Sequence, residues 1–510
     1  MFRLPIVKFF SRILNRATIT IVLVALQVLW LLWAFWAFTA GRVWLNGLLK
    51  ALSIVIVLYL VRKDENSAYK IGWIVLIGLL PLLGGALYLA FGNKAPAKGL
   101  RTRMRKVEQA HTADLAPRPD QTDTLDRVEK NLSHYVETYG PYPAWKHTTA
   151  HYFPCGEAMY PRLLEDLERA EKFIFLEFFI VKSGTMWDGI EAILKQKAAE
   201  GVDVRLIYDD FGSLLGLPSD FVIRMERSHI RCIPFNPVMP LVSLVMNHRD
   251  HRKIVVIDGN VAYTGGVNLA DEYINAEQRF GYWKDTGVLL RGEGTANMTS
   301  LFLQMWEYVT GEKITNFESY LPTVKLPQDG WVQPFADSPL DDLNIGESTY
   351  LQIIHNARKY VYITTPYLVL DNEMITALTI AAQSGVDVRI LTPGIPDKKL
   401  VYMITRSYYQ QLHRAGVKIY EYRPGFLHAK TIVSDDDTAV VGTINMDFRS
   451  FFLHFECATC FYNSSVVAAV KQDILETINV SRAINDAWLR RVPWLQSIAA
   501  SVLRLFAPLL

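Results

Sequence analysis

The hydrophobic pattern changes character near residue 92. Before it, three long apolar runs succeed one another. After it, short runs of strand length alternate with amphipathic stretches of helical period. Thr18 to Phe38 is 21 residues without a charge, and Ile71 to Phe91 is a second such run, broken only by Pro81 and Gly84-Gly85. About 20 apolar residues cross a bilayer, so both runs are read as transmembrane helices. Val43 to Val61, 19 residues containing Asn46 and Lys50, is read as a third span or an interfacial helix. The first run is too long for a cleavable signal peptide and lacks a small-residue cleavage site. The six Lys and Arg within 92–106 favour a cytoplasmic position for the rest of the chain. The expectation is a multi-pass protein of the cell membrane.

The remainder is one unit used twice. "KFIFLEFFIV" (172–181), "WDGIEAILKQKAAEG" and "VDVRLIYDD" read as strand, helix and strand. "KYVYITTPYLVL" (359–370), "NEMITALTIAAQSG" and "VDVRILTPG" repeat that order. Gly-Val-Asp-Val-Arg recurs identically at 201–205 and 385–389. Strand–helix–strand order implies parallel pairing through right-handed crossovers. The predicted class is α/β, with two sandwich halves related by a pseudo-twofold axis behind an N-terminal helical membrane module. The expected boundaries are 1–92 for the membrane module, 93–149 for a polar linker, 150–335 and 336–485 for the two halves, and 486–510 for a C-terminal amphipathic helix.

A second repeat carries the chemistry. "NHRDHRKIVVIDGNVAYTGGVNLADEY" (247–273) holds His251, Lys253 and Asp258, and "HAKTIVSD" (428–435) holds His428, Lys430 and Asp435. In each copy Lys follows His by two, Asp by seven, Gly by fourteen (Gly265, Gly442) and Asn by seventeen (Asn268, Asn445). Residues two apart on a strand share a face, so each His-Lys pair offers an imidazole and an ammonium side by side, a site for an anion. Seven is odd, so Asp258 and Asp435 point away from that face and suit the bonding of turn amides.

Two histidines on one phosphodiester divide the work. One, neutral, attacks phosphorus, and the other, protonated, gives its proton to the leaving oxygen. Lys253 and Lys430 hold the non-bridging oxygens, and Asn268 and Asn445 add neutral donors. A histidine nucleophile needs its far nitrogen hydrogen-bonded. The candidate partners are Glu456 for His428 and Asp285, in "YWKD", for His251. The scheme needs no metal and no other cofactor.

Composition narrows the partners. Half of the residues are hydrophobic and the net charge is +2, which suits lipid and not nucleic acid. The four cysteines include Cys457-Ala-Thr-Cys460, but without a second pair they are read as packing residues. The apolar segment "VMPLVSLVM" (238–246) precedes "NHRDH" only in the first half. It is expected to bring Leu241, Leu244, Val245 and Met246 to lipid tails. In the terminal stretch Trp494, Ile498, Val502 and Leu505 share a helix face, expected at the membrane surface, on the membrane module, or against the catalytic sheet.

These motifs resemble the phospholipase D superfamily and, more narrowly, the bacterial cardiolipin synthases. The matching stretches are 247–273, "FLHAKTIV", "YWKDTGV", "VGTINMDFRSFFLHFE" and the terminal "RLFAPLL". With "VRKDENSAYKIGW" they cover roughly residue 45 to the end. Thr18–Phe38 lies outside the resemblance. His454 departs from it, standing where the pattern has Asn, so a third imidazole can compete for Glu456. The resemblance counts Asp258 and Asp435 with the catalytic set. It implies that His251 takes the phosphatidyl group of one phosphatidylglycerol, glycerol leaves, and a second phosphatidylglycerol collects the group to give cardiolipin. A phospholipase D-type hydrolase, a phosphatidylserine synthase and a silent membrane scaffold are the alternatives, told apart by the lipid products.

Overall fold

The computed structural model describes residues 43–63, 65–92, 98–112, 124–238 and 248–505, with Leu29, Trp33, Leu115 and Ala507. Most of the Thr18–Phe38 run and the segment carrying Leu241, Leu244, Val245 and Met246 lie outside these residues. The chain divides into two bodies, the N-terminal helices and the catalytic body.

The N-terminal body holds α1 (Val43–Arg62), α2 (Ser67–Leu79) and α3 (Pro81–Phe91). The Asn66 side chain caps α2 by accepting from the Ala68 amide at 3.0 Å. Ile56, Leu60, Trp73, Ile77 and Tyr88 are buried together. The run Ile71–Phe91, expected as one span, is two helices. Leu80 sits at φ −130°, ψ 72°, and Pro81 opens the next helix. Proline lacks the amide that would continue the ladder and pushes the residue before it out of the helical region. At 1.5 Å per residue the two pieces are about 20 and 17 Å long, short of the roughly 30 Å hydrocarbon layer. Among the described residues no helix is long and apolar enough to cross a membrane.

Among the described residues the catalytic body contains eighteen strands. Those of the first half are β1 (Thr148–Phe153), β2 (Phe173–Phe178), β3 (Asp203–Asp209), β4 (Arg231–Phe235), β5 (Arg249–Asp250), β6 (Lys253–Ile257), β7 (Val261–Gly265), β8 (Tyr282–Lys284) and β9 (Gly287–Gly292). The second half supplies β10 (Trp331–Asp337), β11 (Tyr360–Thr364), β12 (Asp387–Pro393), β13 (Lys418–Tyr422), β14 (Gly425–Leu427), β15 (Thr431–Ser434), β16 (Thr438–Gly442), β17 (His454–Tyr462) and β18 (Ser481–Ala483). One sheet runs β1-β9-β7-β6-β2-β3-β4, and the other runs β10-β17-β16-β15-β11-β12-β13-β18. Strand for strand, the first seven of each correspond, so the internal repeat is a repeat of topology. β2 and β3 pair in parallel, as do β11 and β12, and the intervening helices Thr185–Ala199 and Asn372–Gln383 cover them.

The stretch 93–149, read as a linker, holds two helices that dock on the second half. Arg101 Nε donates to Leu340 O at 2.9 Å, and Gln333 Nε2 donates to Ser133 O at 3.1 Å. The C-terminal helix Trp494–Leu505 packs on helix Lys399–Arg414, with the Arg504 guanidinium 3.9 Å from the Tyr408 ring centre. Its other face leaves Trp494, Leu495, Ile498 and Val502 at least half exposed.

Asp258 and Asp435, counted with the catalytic set by resemblance, lie elsewhere. Each occupies a left-handed turn, at φ 53° and 52°. Asp258 accepts the amides of Glu171, Lys172 and Phe173, and Asp435 those of Arg358, Lys359 and Tyr360, at 2.6–3.0 Å. Each thus ties off the N-terminus of a central strand, β2 or β11. Hydrogen bonds to a charged acceptor are worth about 1.5–3 kcal/mol. Asp258→Ala and Asp435→Ala are therefore each expected to lower stability by about 2 kcal/mol, a fall of several degrees in melting temperature. The protein that stays folded should retain its activity within about threefold. A thousandfold loss with an unchanged melting temperature would show that these carboxylates act in the chemistry.

Candidate active site

The site is built where each half lends a short strand to the other. β5 belongs to the first half in sequence but pairs in parallel with β17, setting Arg249 opposite His454 and Asp250 opposite Phe455. The next amide, of His251, donates to Phe455 O at 2.9 Å. That register brings His251 beside Glu456, with Nδ1 2.9 Å from both carboxylate oxygens. The counterpart is β14 with β8, also parallel, with Leu427 opposite Lys284. There the His428 amide donates to Lys284 O at 2.7 Å, and His428 Nδ1 lies 2.6 Å from Asp285 Oδ2. Each imidazole is therefore oriented by a carboxylate of the opposite half. The expected pairing, Glu456 with His428 and Asp285 with His251, is crossed in the structure. The expectation kept partners within one half, whereas the exchanged strands carry each histidine across.

The lysines lie under the histidines. Lys253 Nζ donates to His251 O at 2.6 Å. Lys430 Nζ bonds His428 O and stands 2.8 Å from His428 Nδ1. Both histidines are 7% exposed and both lysines at most 1%, so only the imidazoles reach the opening. Burial presses every charged form toward neutrality. It lowers the His251 pKa well below the usual imidazole value, helped by Lys253, His454, Lys430 and His428. Burial and Lys430 bring His428 to about 4, against the pull of Asp285. Lys253 falls to about 8 and Lys430 to about 7, burial leading in both. Burial also drives Glu456 well above the usual carboxylate range, with Lys253 opposing. The charges of Lys430 and His428 act on His251 across the halves, as one shared cleft requires.

Asn268 does not stand ready for a ligand. Its Oδ1 accepts from the Ile180 amide at 3.0 Å and its Nδ2 donates to the Tyr273 hydroxyl at 2.7 Å. Asn445 differs, since its buried Oδ1 has no partner among the described residues.

Several neighbours escaped the sequence reading. Thr443 donates its hydroxyl to Glu456. Tyr273, Trp283 and Phe426 surround His428 at ring distances of 5.3–5.6 Å. Phe179 lies 5.1 Å from His251, and His454, the third imidazole that the sequence placed near Glu456, lies 5.5 Å from it. Trp283 stands two residues before Asp285 and His454 two before Glu456, and that shared offset was the signal available in the sequence. Arg252, between the paired residues of the first motif, points into the core. Its Nε lies 2.6 Å from Glu177 and 3.3 Å from Asp250.

His251, His454 and Glu456 are close enough together to hold a metal ion. Lys253 lies alongside, and Arg449, Lys398 and Arg249 add positive charge at His454. This surrounding favours an anion over a cation. Facing imidazoles over paired ammonium groups suit displacement at a phosphodiester.

Comparison with known proteins agrees with that chemistry. The family model described as "Cardiolipin synthase, PLD-like domain" matches residues 163–306 and 350–478, and the Phospholipase D-nuclease N-terminal model matches 51–93. An uncharacterized protein of Streptococcus mutans is 44% identical over 89% of this chain and 99% of its own length. A cardiolipin synthase of Geobacillus thermodenitrificans is 35% identical, covering 91% of this chain and 93% of that protein. Among solved structures, the phosphatidylserine synthase of Haemophilus influenzae superposes with a TM-score of 0.58 at 15% identity, covering 75% of this chain and 99% of that one. At that identity the likeness concerns the fold alone. With the family model spanning both halves and curated relatives matched over nearly their whole length, the chain belongs to the cardiolipin synthase family of phospholipase D-like proteins.

Proposed function

We propose that the chain is a cardiolipin synthase that moves a phosphatidyl group between two phosphatidylglycerol molecules through a phosphatidyl-histidine. The observation that carries this reading is the crossed pair of imidazole–carboxylate contacts over two buried lysines. Glu456 holds the proton on His251 Nδ1, which leaves the Nε2 lone pair for phosphorus. His251 attacks, a P–N bond forms, and the P–O bond to glycerol breaks as His428 gives its proton to the leaving oxygen. In the second step the hydroxyl of the acceptor attacks phosphorus, its proton passes to His428, and the P–N bond breaks. Lys253 and Lys430 balance the charge on the non-bridging oxygens, with Asn445 beside them. The phosphodiester brings the negative charge that favours a protonated His428 despite its low value in the empty site.

The apolar face of helix Trp494–Leu505 supports lipid contact at the cell membrane, and the six cations of 92–106 support a cytoplasmic catalytic body. Vesicles of labelled phosphatidylglycerol test product and surface together. Cardiolipin with free glycerol is expected on thin-layer separation, whereas phosphatidic acid alone would mean a hydrolase and unchanged lipid an inactive scaffold. Trp494→Ser with Ile498→Ser should cut the vesicle rate at least tenfold and spare a short-chain soluble substrate. An equal loss on both substrates would place that helix's role in folding.

The assignment of steps is tested with a short-chain phosphatidyl ester of nitrophenol, whose leaving group needs no acid. His428→Ala should still form a phosphatidyl-enzyme, and His251→Ala should form none. Lipid recovered on His428 would reverse the roles. Because the carboxylates are crossed, Glu456→Gln should slow phosphatidyl-enzyme formation from this ester by 10²-fold or more. Asp285→Asn should barely slow it, but should slow glycerol release from phosphatidylglycerol.

The dependence on pH comes from the free-enzyme groups, which kcat/KM reports. His251 must be neutral, and His428, Lys430 and Lys253 charged; with His428 near 4 in the free enzyme, kcat/KM already falls as pH rises above that value. Its lowered pKa keeps His251 neutral down to well below pH 6.5, so no acid limb is expected in that region. Deprotonation of Lys430 near 7 and Lys253 near 8 should lower kcat/KM as pH rises from 7 to 9. Lys430→Arg should remove the lower of those two steps. A profile that rises through this range would overturn the assignment of charged lysines to substrate binding.

A further inference from the structure

The two imidazoles have unlike neighbours at matched places. Two residues before Asp285 stands Trp283, whose ring packs 5.3 Å from His428. Two residues before Glu456 stands His454, whose ring packs 5.5 Å from His251. An apolar wall on one side of the site is thus replaced by a titratable one on the other. His454 is 9% exposed, and neither ring nitrogen has a hydrogen-bond partner among the described residues. Its Nδ1 is 3.8 Å from Glu456 Oε1, beyond hydrogen-bond reach. A buried polar group without a partner is costly, so a ligand is the natural partner here.

The surroundings say what kind of ligand. Arg249 lies directly opposite His454 in the β5–β17 pairing. Arg449 is on the helix Phe448–Phe452, which runs straight into β17 and packs on it. Lys398 is exposed at the start of helix Lys399–Arg414, 5.1 Å over the Tyr367 ring. The charges of Arg449, Lys398 and Arg249 all act on the His454 imidazole, together with Lys253. Asp209, Asp210 and Asp447 lie among these cations, so the cluster is not purely positive. Lys398 and Arg449 face the outside more than Arg249, which is 3% exposed. The positive rim therefore opens outward, next to His251.

We propose that His454, Arg449, Lys398 and Arg249 form a second anion subsite, which takes the phosphodiester of the acceptor lipid while its free hydroxyl reaches the phosphorus held on His251. This rests on the phosphatidyl-transfer reading. The acceptor in that reaction is itself an anion, and its phosphate stands only a three-carbon glycerol away from the attacking hydroxyl. The His251 and His454 ring centres lie 5.5 Å apart. A neutral alcohol has no use for such a subsite, so the subsite would make the enzyme prefer anionic over neutral acceptors.

The test uses the full-length protein, the nitrophenyl ester as donor, and two acceptors, short-chain phosphatidylglycerol and glycerol. Arg449→Ala and Lys398→Glu should each raise KM for short-chain phosphatidylglycerol at least tenfold. They should leave the nitrophenolate burst and transfer to glycerol within about threefold. Loss of both transfers together, with an intact burst, would overturn the subsite and assign these residues to positioning. Unchanged KM for both acceptors would overturn it as well. sn-Glycerol-3-phosphate, an anionic acceptor without acyl chains, should show the same rise in KM, and a rise confined to the lipid would mean that the rim reads acyl chains instead of phosphate. If the unaltered enzyme transfers to neither acceptor and releases only phosphatidic acid, the transfer reading itself fails, a result separate from failure of the subsite.

Discussion

The exchange of β5 and β14 between the halves is the contact on which the site depends. Each exchange is only a few residues long, yet it fixes the amide of a histidine against the other half and sets that histidine beside its carboxylate. An imidazole whose Nδ1 is held by a carboxylate has a defined tautomer and a defined direction for Nε2. Neither half can provide that alone, because the ring and its orienting group are on different halves. The cleft exists only when the halves are closed on each other.

Closure also sets the electrostatics. Two ammonium groups, three imidazoles and two carboxylates are gathered where water is scarce, and burial raises or lowers nearly every one toward its neutral form. An empty site of fully charged lysines would be costly. With Lys430 near 7 and His428 near 4, protons are held loosely until a phosphodiester arrives. In the proposed reaction the anion favours the charged forms that the chemistry needs, which couples binding to activation.

Much of this was legible in the sequence. The duplicated spacing of His, Lys, Gly and Asn marked the two halves, and the recurrence of Gly-Val-Asp-Val-Arg marked matched strands that the two sheets repeat. Parity placed Asp258 and Asp435 away from the histidines, where they bind strand-end amides. The reading failed where the third dimension decides. Nothing in one dimension says that β5 leaves its own sheet, so the carboxylates were assigned to the wrong histidines. Asn268 has the same spacing as Asn445, but a nearby Tyr273 hydroxyl takes its amide. The Ile71–Phe91 run has the length of a span, and one proline divides it. Hydropathy counts residues and does not register a turn.

The departures from symmetry match the demands of the reaction. A twofold frame offers two equivalent histidines, but group transfer needs one to hold the phosphatidyl group and one to move protons. The chain breaks the equivalence by neighbours and keeps the backbone. Arg252 fills the core where the second copy has Ala429, and it is held there by Glu177 and Asp250. Lys430 approaches the ring nitrogen of His428, while Lys253 bonds only the backbone oxygen of His251. Trp283 shields one imidazole, while the other has His454 and its cations at its side. An imidazole in an apolar cage, touching a lysine, suits a proton carrier whose charge depends on the substrate. An imidazole held by a carboxylate from behind and open to a polar rim suits a nucleophile that must receive a second, charged molecule. Under the proposed transfer, a few substitutions on the walls of a duplicated cleft separate donor from acceptor.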